Sequence, residues 1–287
     1  MTDPGNPVLA APPVGSEIAR LGRCLVTGAA GFLGRNLVQA LLERGCRVKA
    51  LLHRTPLEIA DERLKCLWGD LRNAGDMLSV CEGVDTVFHT GAAISLMGGR
   101  GATSGYRQGA YQINVEGTRN TLAGCRRQGV ERLVHTSSID VCFDGTPMPA
   151  MRETMPYAAR VRSVYAETKI AAEKLVLEAN GCEGLLTCVI RPDGIYGAGR
   201  NEMMDRLMAE LTAGRMLAVI GNGSTLQDSS FVENLVHGEL LAAQQLVPGG
   251  VACGKAYFIT DAEPMNIFEF LHVNSFGFHF KLISNRF

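Results

Sequence analysis

A glycine-rich segment, TGAAGFLG at residues 27–34, constrains the fold of this chain most strongly. It follows the apolar run CLVT and opens a stretch with helical periodicity, so it predicts a tight turn between a strand and a helix. In such a turn the glycines allow the backbone to approach a pyrophosphate at the helix N-terminus. The alternative is a glycine-rich turn without a ligand. The candidate cofactor-binding residues of this turn are Gly28, Gly31, Phe32, Leu33 and Gly34.

The following sequence alternates between short apolar runs and helical patterns, which is typical of a parallel sheet covered by helices on both faces. The predicted strands are CLVT, VKALL, LKCLW, TVFHT, RLVHTS and LLTCVI. The predicted helices cover residues 31–44, 74–81, 109–128 and 161–179. We therefore expect an α/β protein with a doubly wound parallel sheet, the Rossmann fold, whose working loops lie at the carboxyl ends of the strands.

The rhythm changes after Pro192, where we expect a helix at 203–213, the strand LAVIG, a helix at 232–246 and the strand YFIT. These patterns divide the chain into a flexible leader at 1–20, an NAD(P)-binding domain at 21–191 and a smaller substrate lobe at 192–287. A helix is expected to begin at 266–271. The tail at 272–287 then loses helical periodicity, which indicates either a strand or a truncated or altered C-terminus.

Composition excludes several classes of protein. The chain has 287 residues and a formal net charge of −1, which does not indicate a nucleic-acid partner. Its nine cysteines never form a C-x-x-C pair, and several lie in apolar runs, so we expect buried free thiols and no metal site. No signal peptide is evident, and no apolar run approaches the roughly 18 residues that a membrane span needs. A cytoplasmic protein is expected, with peripheral membrane attachment as an alternative.

Residues after the second and third strands address the choice of cofactor. Leu52 occupies the place where an acidic residue would bind the adenosine ribose, and His53 and Arg54 follow it. Without a carboxylate to repel a 2′-phosphate, and with Arg54 available to bind one, NADP is favoured over NAD. Alternatively, Arg54 points into water. Asp70, followed by Leu71, is placed to accept a hydrogen bond from the adenine amine, unless it only caps a loop.

Tyr165 and Lys169, in the segment VYAETK, predict acid–base chemistry. Residues four apart share one face of a helix, so the two side chains can meet. An ammonium beside a phenol favours the phenolate, which brings a pKa of about 10 toward neutral pH. Tyr165 could then exchange a proton with an alcohol while hydride moves to or from the same carbon. Taken alone, the spacing is also common by chance on surface helices.

Two further residues could complete the chemistry. Ser138, with Ser137 as the alternative, ends the RLVHTSS strand and can hold the substrate oxygen beside Tyr165. Asn114, in QINVEGT, could place a water molecule or a carbonyl near Lys169 for proton relay. Serines at a strand end are more often turn formers, and Asn114 could simply pack in its helix.

Seven motifs, in order, resemble the extended short-chain dehydrogenase/reductase family: TGAAGFLG, GDL, VFHTGAA, NVEGT, HTSSIDV, YAETK and RPDGIYG. Within it, the chain is similar to bacterial 3β-hydroxysteroid dehydrogenases through FHTGAAISLMGG, IRPDGIYGAG, DSSFVENLVHG and GKAYFITDAEP. The resemblance implies oxidation of a 3β-hydroxyl to a ketone, with or without a Δ5 to Δ4 shift, on a hydrophobic, steroid-like substrate. It also implies a possible homodimer and a C-terminal lobe that is truncated here.

Carried over from the family, Tyr165 resembles the catalytic acid/base, Lys169 its activator and ribose ligand, Ser138 the partner of the substrate oxygen and Asn114 the relay residue. Other functions share these motifs. They are the reduction of dihydroflavonol-type ketones or 2-alkyl-3-oxo acids, and the epimerisation of sugar nucleotides. A non-catalytic NAD(P) sensor belongs to another class, but it could dispense with the proton-transfer residues, which this chain retains.

Overall fold

The computed structural model describes residues 21–94, 103–201, 204–205, 209, 213 and 224–266. The strands are β1 (Arg23–Thr27), β2 (Arg47–Leu52), β3 (Leu64–Trp68), β4 (Thr86–His89), β5 (Arg132–Thr136), β6 (Leu186–Pro192), β7 (Ile195–Tyr196), β8 (Leu226–Gln227), β9 (Ser230–Phe231), β10 (Ala256–Ile259) and β11 (Met265–Asn266). The α-helices are α1 (Phe32–Glu43), α2 (Ala74–Cys81), α3 (Ser104–Tyr111), α4 (Gly117–Gln128), α5 (Val164–Glu178) and α6 (Val232–Gln244).

Seven strands form one parallel sheet in the order β10-β6-β5-β4-β1-β2-β3. The strand order reverses between β1 and β4, which creates the crevice where doubly wound sheets bind ligands. The predicted Rossmann fold is confirmed, and the predicted strands agree with the observed ones to within about two residues at each end.

Two apolar cores lie on opposite faces of the sheet. One is built from α1 and α6 against side chains such as Val26, Phe88 and Cys188. The other is built from α2, α4 and α5 against side chains such as Leu25 and Leu133. Neighbouring residues of one strand point to opposite faces, so each buried strand contributes to both cores, and this is why the strands read as continuous apolar runs.

A long helical segment crosses one face of the sheet without interruption. It comprises α3, a π-helical turn at Gln112–Glu116 and α4. The sequence predicts a helix only from residue 109, whereas the observed segment begins at Ser104, where Thr103 caps the amide of Tyr106 at 3.3 Å. The π-helical turn contains Asn114, and such turns are frequent at functional sites.

Elements that follow Pro192 return to the main sheet. Helix α6 packs on α1, β5 and β6, and β10 pairs in parallel with β6. Both α6 and β10 fall within the predicted substrate lobe at 192–287, but the structure places them on the Rossmann sheet. Two small sheets, β7 with β9 and β8 with β11, lie outside it. The strand β11 occupies Met265–Asn266, where a helix is expected to begin.

Several expectations fall outside the described residues. These are the leader at 1–20, the strand LAVIG, most of the helix at 203–213 and the tail at 272–287. All nine cysteines are unpaired, and Cys66 and Cys182 are exposed. Within the part of the chain that the structure describes, none of the helices is long and apolar enough to cross a membrane.

Candidate active site

The turn between β1 and α1 is closed by backbone contacts that only glycine allows. Gly28 has a φ of +65°, and a Cβ placed there would lie 2.7 Å from the Cα of Gly91, in the segment after β4. A Cβ on Gly34 would overlap the carbonyl oxygen of Gly28. Both glycines are therefore required by packing, and they bring the N-terminus of α1 close to the ends of β1 and β4.

The N-terminus of α1 is available to bind an anion. Its N-cap is Gly31, which offers no side-chain acceptor, and the first turn carries no acidic residue. Unpaired amides and the helix dipole favour a phosphate group at this position. Leu33 is buried in the core, so only its backbone can contribute to binding, whereas Phe32 is partly buried. The turn therefore fits the pyrophosphate of a dinucleotide.

The ends of β2 and β3 carry the predicted adenosine contacts. Leu52 is buried, whereas His53 and Arg54 are exposed. Asp70 accepts hydrogen bonds from the Arg72 guanidinium at 2.9–3.0 Å, and its carboxylate lies 3.4 Å from the Nε2 of His53. The Arg72 hydrogen bonds hold the pKa of Asp70 at about 2. Asp70 is therefore an anion that is already paired, and its proposed bond to adenine stays a prediction.

Leu71 packs between the segment after β4 and the start of α4. A Cβ on Gly91 would come within 2.9 Å of the Leu71 side chain, and so would one on Gly117 at the start of α4. The Leu71 carbonyl also accepts a hydrogen bond from Asn120 at 2.9 Å. These contacts fix the loop after β3, where the adenine contact is predicted.

Tyr165 and Lys169 lie on α5, which begins where Ser163 caps the amide of Ala166 at 3.0 Å. Lys169 is buried, and its Nζ donates a hydrogen bond of 2.7 Å to the carbonyl oxygen of Thr136 at the end of β5. The same Nζ lies 5.9 Å from the centre of the Tyr165 ring. The helix thus brings the two predicted residues together at the carboxyl edge of the sheet.

The pKa of Tyr165 differs from the expectation. Burial raises it, the charge of Asp140 raises it further, and a hydrogen bond with the Ser138 side chain lowers it. The expected lowering by Lys169 is not among the influences on this pKa, of which burial is the largest. Burial in turn lowers the pKa of Lys169 to about 8. At neutral pH the pair therefore holds both of its protons, and the first is lost near pH 8.

The structure distinguishes the two candidate serines by their contacts. Ser138 is partly exposed, accepts a hydrogen bond from the Asp140 amide at 3.2 Å and interacts with Tyr165. Ser137 is buried, and its hydroxyl has no hydrogen-bond partner among the described residues. This geometry favours Ser138 as the substrate-oxygen partner, a role that stays a prediction.

Asn114 links the segment after β4 to α5. Its amide oxygen accepts a hydrogen bond from the Ala93 amide at 2.7 Å, and its amide nitrogen donates to the Ala93 carbonyl at 3.1 Å and to Thr168 at 2.9 Å. Both hydrogens of the Asn114 amide therefore form hydrogen bonds, one of them with α5. The contacts fix the loop that borders the cofactor turn, and the relay role stays a prediction.

Three polar residues near the pair are absent from the predicted site. They are Thr136, Asp140 and Glu239. Thr136 bridges Lys169 and Glu239 through its carbonyl and its hydroxyl. Asp140 lies in the motif HTSSIDV, two residues after Ser138. Among the described residues, no group of three or more His, Cys, Asp or Glu side chains is placed to hold a metal ion.

The comparison with known proteins supplies the decisive observation. The sequence model of the 3-beta hydroxysteroid dehydrogenase/isomerase family matches residues 25–282, which is most of the chain. The chain belongs to this family. The assignment confirms the resemblance inferred from the motifs.

Relatives in the family include proteins from bacteria and animals. The chain is 47% identical over 255 residues to the 3 beta-hydroxysteroid dehydrogenase/Delta 5→4-isomerase of Mycobacterium tuberculosis, with 89% of this chain and 69% of the relative covered. It is 46% identical over 251 residues to the 3-beta-hydroxysteroid dehydrogenase of Mycolicibacterium neoaurum, covering 87% and 68%. It is 37% identical to the decarboxylating sterol-4-alpha-carboxylate 3-dehydrogenase of Mus musculus, covering 89% and 68%.

Solved structures agree with this fold. The family member described here matches the epimerase Mth375 of Methanothermobacter thermautotrophicus with a TM-score of 0.78 at 21% identity, covering 95% of this chain and 83% of that one. It matches MoeE5 in complex with UDP-glucose and NAD with a TM-score of 0.71 at 28% identity, covering 88% and 81%. The first match shows the fold alone.

Proposed function

We propose that this protein is an NAD(P)-dependent dehydrogenase that oxidises the 3β-hydroxyl of a steroid to a ketone. The observation that carries the proposal is the meeting of Tyr165, Lys169 and Ser138 at the carboxyl edge of a Rossmann sheet, in a chain that belongs to a hydroxysteroid dehydrogenase family. The nicotinamide ring, when bound, accepts the hydride. The protein supplies placement and proton transfer.

The proton chemistry follows from the burial of the catalytic pair. With both protons bound, the pair cannot accept the proton of a substrate alcohol. The pair loses its first proton near pH 8. It can then accept one proton from the substrate alcohol, whether Tyr165 or Lys169 holds the proton that remains. Ser138 would hold the substrate oxygen beside Tyr165. This assignment makes the oxidation favoured at alkaline pH.

A substrate screen tests the proposed function. The protein is incubated with NAD or NADP and a Δ5-3β-hydroxysteroid, and the absorbance of the reduced nicotinamide is followed. Appearance of the conjugated enone then reports the double-bond shift that the name of the M. tuberculosis relative includes. A dihydroflavonol, a 2-alkyl-3-oxo acid and a UDP-sugar are tested in parallel. Turnover of one of these alone, with none of the steroid, would refute the steroid assignment.

Replacement of Tyr165 tests the catalytic role. Tyr165→Phe removes only the hydroxyl, so we expect kcat to fall by about 10²–10⁴-fold with cofactor affinity unchanged. Tyr257→Phe on β10 is the matched control, because that hydroxyl bonds the Val251 carbonyl at 2.7 Å away from the catalytic pair. Equal activity of the two variants would show that Tyr165 takes no part in proton transfer.

We also propose that NADP is preferred over NAD. Support comes from the absence of an acidic residue at buried Leu52, from exposed Arg54, and from the pairing of the Asp70 carboxylate with Arg72. Arg54→Ala should weaken NADP binding by about tenfold and leave NAD binding unaltered. Titration calorimetry with both cofactors measures this. Equal affinities in the unmodified protein would remove the preference.

Dimerisation and peripheral attachment to a membrane stay predictions. Dimerisation through paired long helices would involve α4 and α5, and light scattering during size-exclusion chromatography measures it. Co-sedimentation with vesicles of neutral and of anionic phospholipid measures attachment. Neither property is required for the proposed reaction.

A further inference from the structure

Thr136 connects two buried charged groups that lie on opposite faces of the sheet. Its carbonyl accepts the hydrogen bond from Lys169 on α5, at 2.7 Å. Its hydroxyl donates a hydrogen bond of 2.6 Å to Oε1 of Glu239, on α6. Helices α5 and α6 pack against different faces, so one residue at the end of β5 joins the catalytic helix to the helix behind the sheet.

Glu239 is a carboxyl group whose hydrogen bonding is incomplete. It is fully buried, and its second oxygen, Oε2, has no hydrogen-bond partner among the described residues. A buried carboxylate that lacks full pairing costs stability, so its presence beside the catalytic site needs a reason. Burial raises the pKa of Glu239 to about 7, and both the Thr136 hydrogen bond and the charge of Lys169 oppose this rise.

We propose that Glu239 is a positioning residue: through Thr136 it anchors Lys169, and its negative charge helps Lys169 to keep its proton. The proposal deepens the proposed function and rests on it, because Lys169 belongs to the catalytic pair. Glu239 does not reach the reacting atoms. It acts by setting the pH at which the pair of Tyr165 and Lys169 becomes able to accept a proton.

Three other titratable groups near Lys169 lie on the α5 side of the sheet, namely His89, His135 and Glu173. Burial, followed by the charge of Lys169, lowers the pKa of His89 on β4 to about 3 and lowers that of His135 on β5. Both imidazoles are therefore neutral. Glu173, one turn along α5, raises the pKa of Lys169 more than Glu239 does, and it is paired with Arg191 of β6 at 3.1 Å.

Groups on the α6 side are neutral as well. The thiol of Cys188 on β6 has a raised pKa, first from burial and then from the charge of Glu239. Burial also raises the pKa of Tyr257 on β10. Glu239, on α6, is thus the anionic group that lies against the Thr136 hydroxyl.

The direct test measures the protonation of Lys169 without any substrate. Lysine carrying ¹³C at Cε is incorporated, and the Lys169 signal, one of six, is assigned by its loss in Lys169→Arg. In Glu239→Gln the hydrogen-bond acceptor remains but the charge is gone. We expect the titration midpoint of Lys169 to fall by about one pH unit. Glu233→Gln, which removes an exposed charge from the same helix, should leave it unchanged.

A second pair of variants separates this role from simple packing and decides the matter if Glu239→Gln does not fold. Thr136→Val removes the hydroxyl that stabilises the charged form of Glu239, so the midpoint of Lys169 should also fall. Thr136→Ser keeps the hydroxyl and should restore the original midpoint. Urea unfolding of each variant establishes that the compared proteins are folded.

The kinetic test follows the pH dependence of kcat/KM for steroid oxidation. In Glu239→Gln the rising limb should move to lower pH by the same interval as the Lys169 midpoint, while Glu233→Gln follows the unmodified protein. The proposal would be overturned if the folded Glu239→Gln and Thr136→Val variants both kept the Lys169 midpoint of the unmodified protein. A moved midpoint with no oxidation of any steroid would instead contradict only the proposed substrate.

Discussion

Lys169, the proposed partner of Tyr165 in proton transfer, is the residue whose environment most affects the proposed chemistry. Its side chain is buried, and burial lowers its pKa to about 8 although two carboxylates act in the opposite direction. The family motif supplies Lys169, but the motif does not determine the pH at which Lys169 releases its proton. That pH depends on the burial of the side chain and on the charges of Glu173 and Glu239.

We expect kcat/KM to depend on pH with opposite sign in the two reaction directions. Oxidation needs a pair that can accept a proton, so kcat/KM for the alcohol should rise as pH increases through about 8. Reduction of the ketone needs a pair that can donate a proton, so its kcat/KM should fall over the same interval. Initial rates in both directions with saturating cofactor measure this. Parallel profiles in the two directions would contradict the assignment.

Sequence spacing was sufficient for the residues that a local motif places. Tyr165 and Lys169 follow from their separation by four on a helix, and Ser138 from its position at a strand end. Sequence spacing could not reveal Glu239. The partner of Glu239, Thr136, is 103 residues away, and their contact exists only when α6 packs on β5. Nor does spacing give the burial of Tyr165 or its proximity to Asp140, which raise its pKa.

At the scale of elements, the turn between β1 and α1 shows how close packing adds to backbone strain. Gly28 and Gly129 both have left-handed φ, +65° and +68°, but a Cβ on Gly28 would strike Gly91 and one on Gly129 would meet nothing within 4 Å. We expect Gly28→Ala to cost about 3 kcal/mol or more and to weaken cofactor binding, whereas Gly129→Ala costs about 1 kcal/mol. Urea unfolding measures both variants, and equal losses would contradict the packing argument.

A buried ion pair fixes α5 to the sheet. Glu173 accepts hydrogen bonds from Arg191 on β6 and from the Tyr157 hydroxyl, each at 3.1 Å. Arg191→Ala leaves a buried carboxylate without its cation, so we expect a loss of about 3–5 kcal/mol in the free energy of unfolding. Arg119→Ala, which breaks the exposed pair with Glu116, should change stability by no more than about 0.5 kcal/mol.

The double replacement distinguishes charge pairing from packing at this position. If the cost in Arg191→Ala comes from an unpaired charge, then Glu173→Leu combined with Arg191→Met should recover most of the lost stability. Failure of the double variant to recover it would instead indicate that the guanidinium is needed for its shape, through its stacking on Tyr157 and Phe258.

The start of the long helical segment was missed for a physical reason. Helix α3, SGYRQGAY, contains two glycines and several polar residues, so its own propensity is low. It is stabilised by contacts with α5, where Glu167 accepts hydrogen bonds from Arg107 and from the Tyr111 hydroxyl at 2.8 Å. Tertiary contacts of this kind leave no periodic signal in the sequence.

At the scale of the whole molecule, the sheet order determines where the cofactor domain ends. Periodicity identifies α6 and β10 but cannot tell which sheet a strand joins, so a boundary at residue 192 was the simplest interpretation. The observed pairing of β10 with β6, and the burial of α6 against α1, make both elements part of one apolar core.

Two fragments of the chain test this architecture. Fragment 21–191 lacks α6, whose buried side chains include Leu235, Val236 and Leu240, and it therefore exposes the part of the sheet face that α6 covers beside α1. We expect it to bind a hydrophobic dye and to unfold without cooperativity, whereas fragment 21–266 unfolds cooperatively and binds NAD(P). Circular dichroism in urea and cofactor titration compare them. Cooperative unfolding and cofactor binding by fragment 21–191 would instead show that the first 191 residues form a complete domain, with α6 and β10 only attached to it.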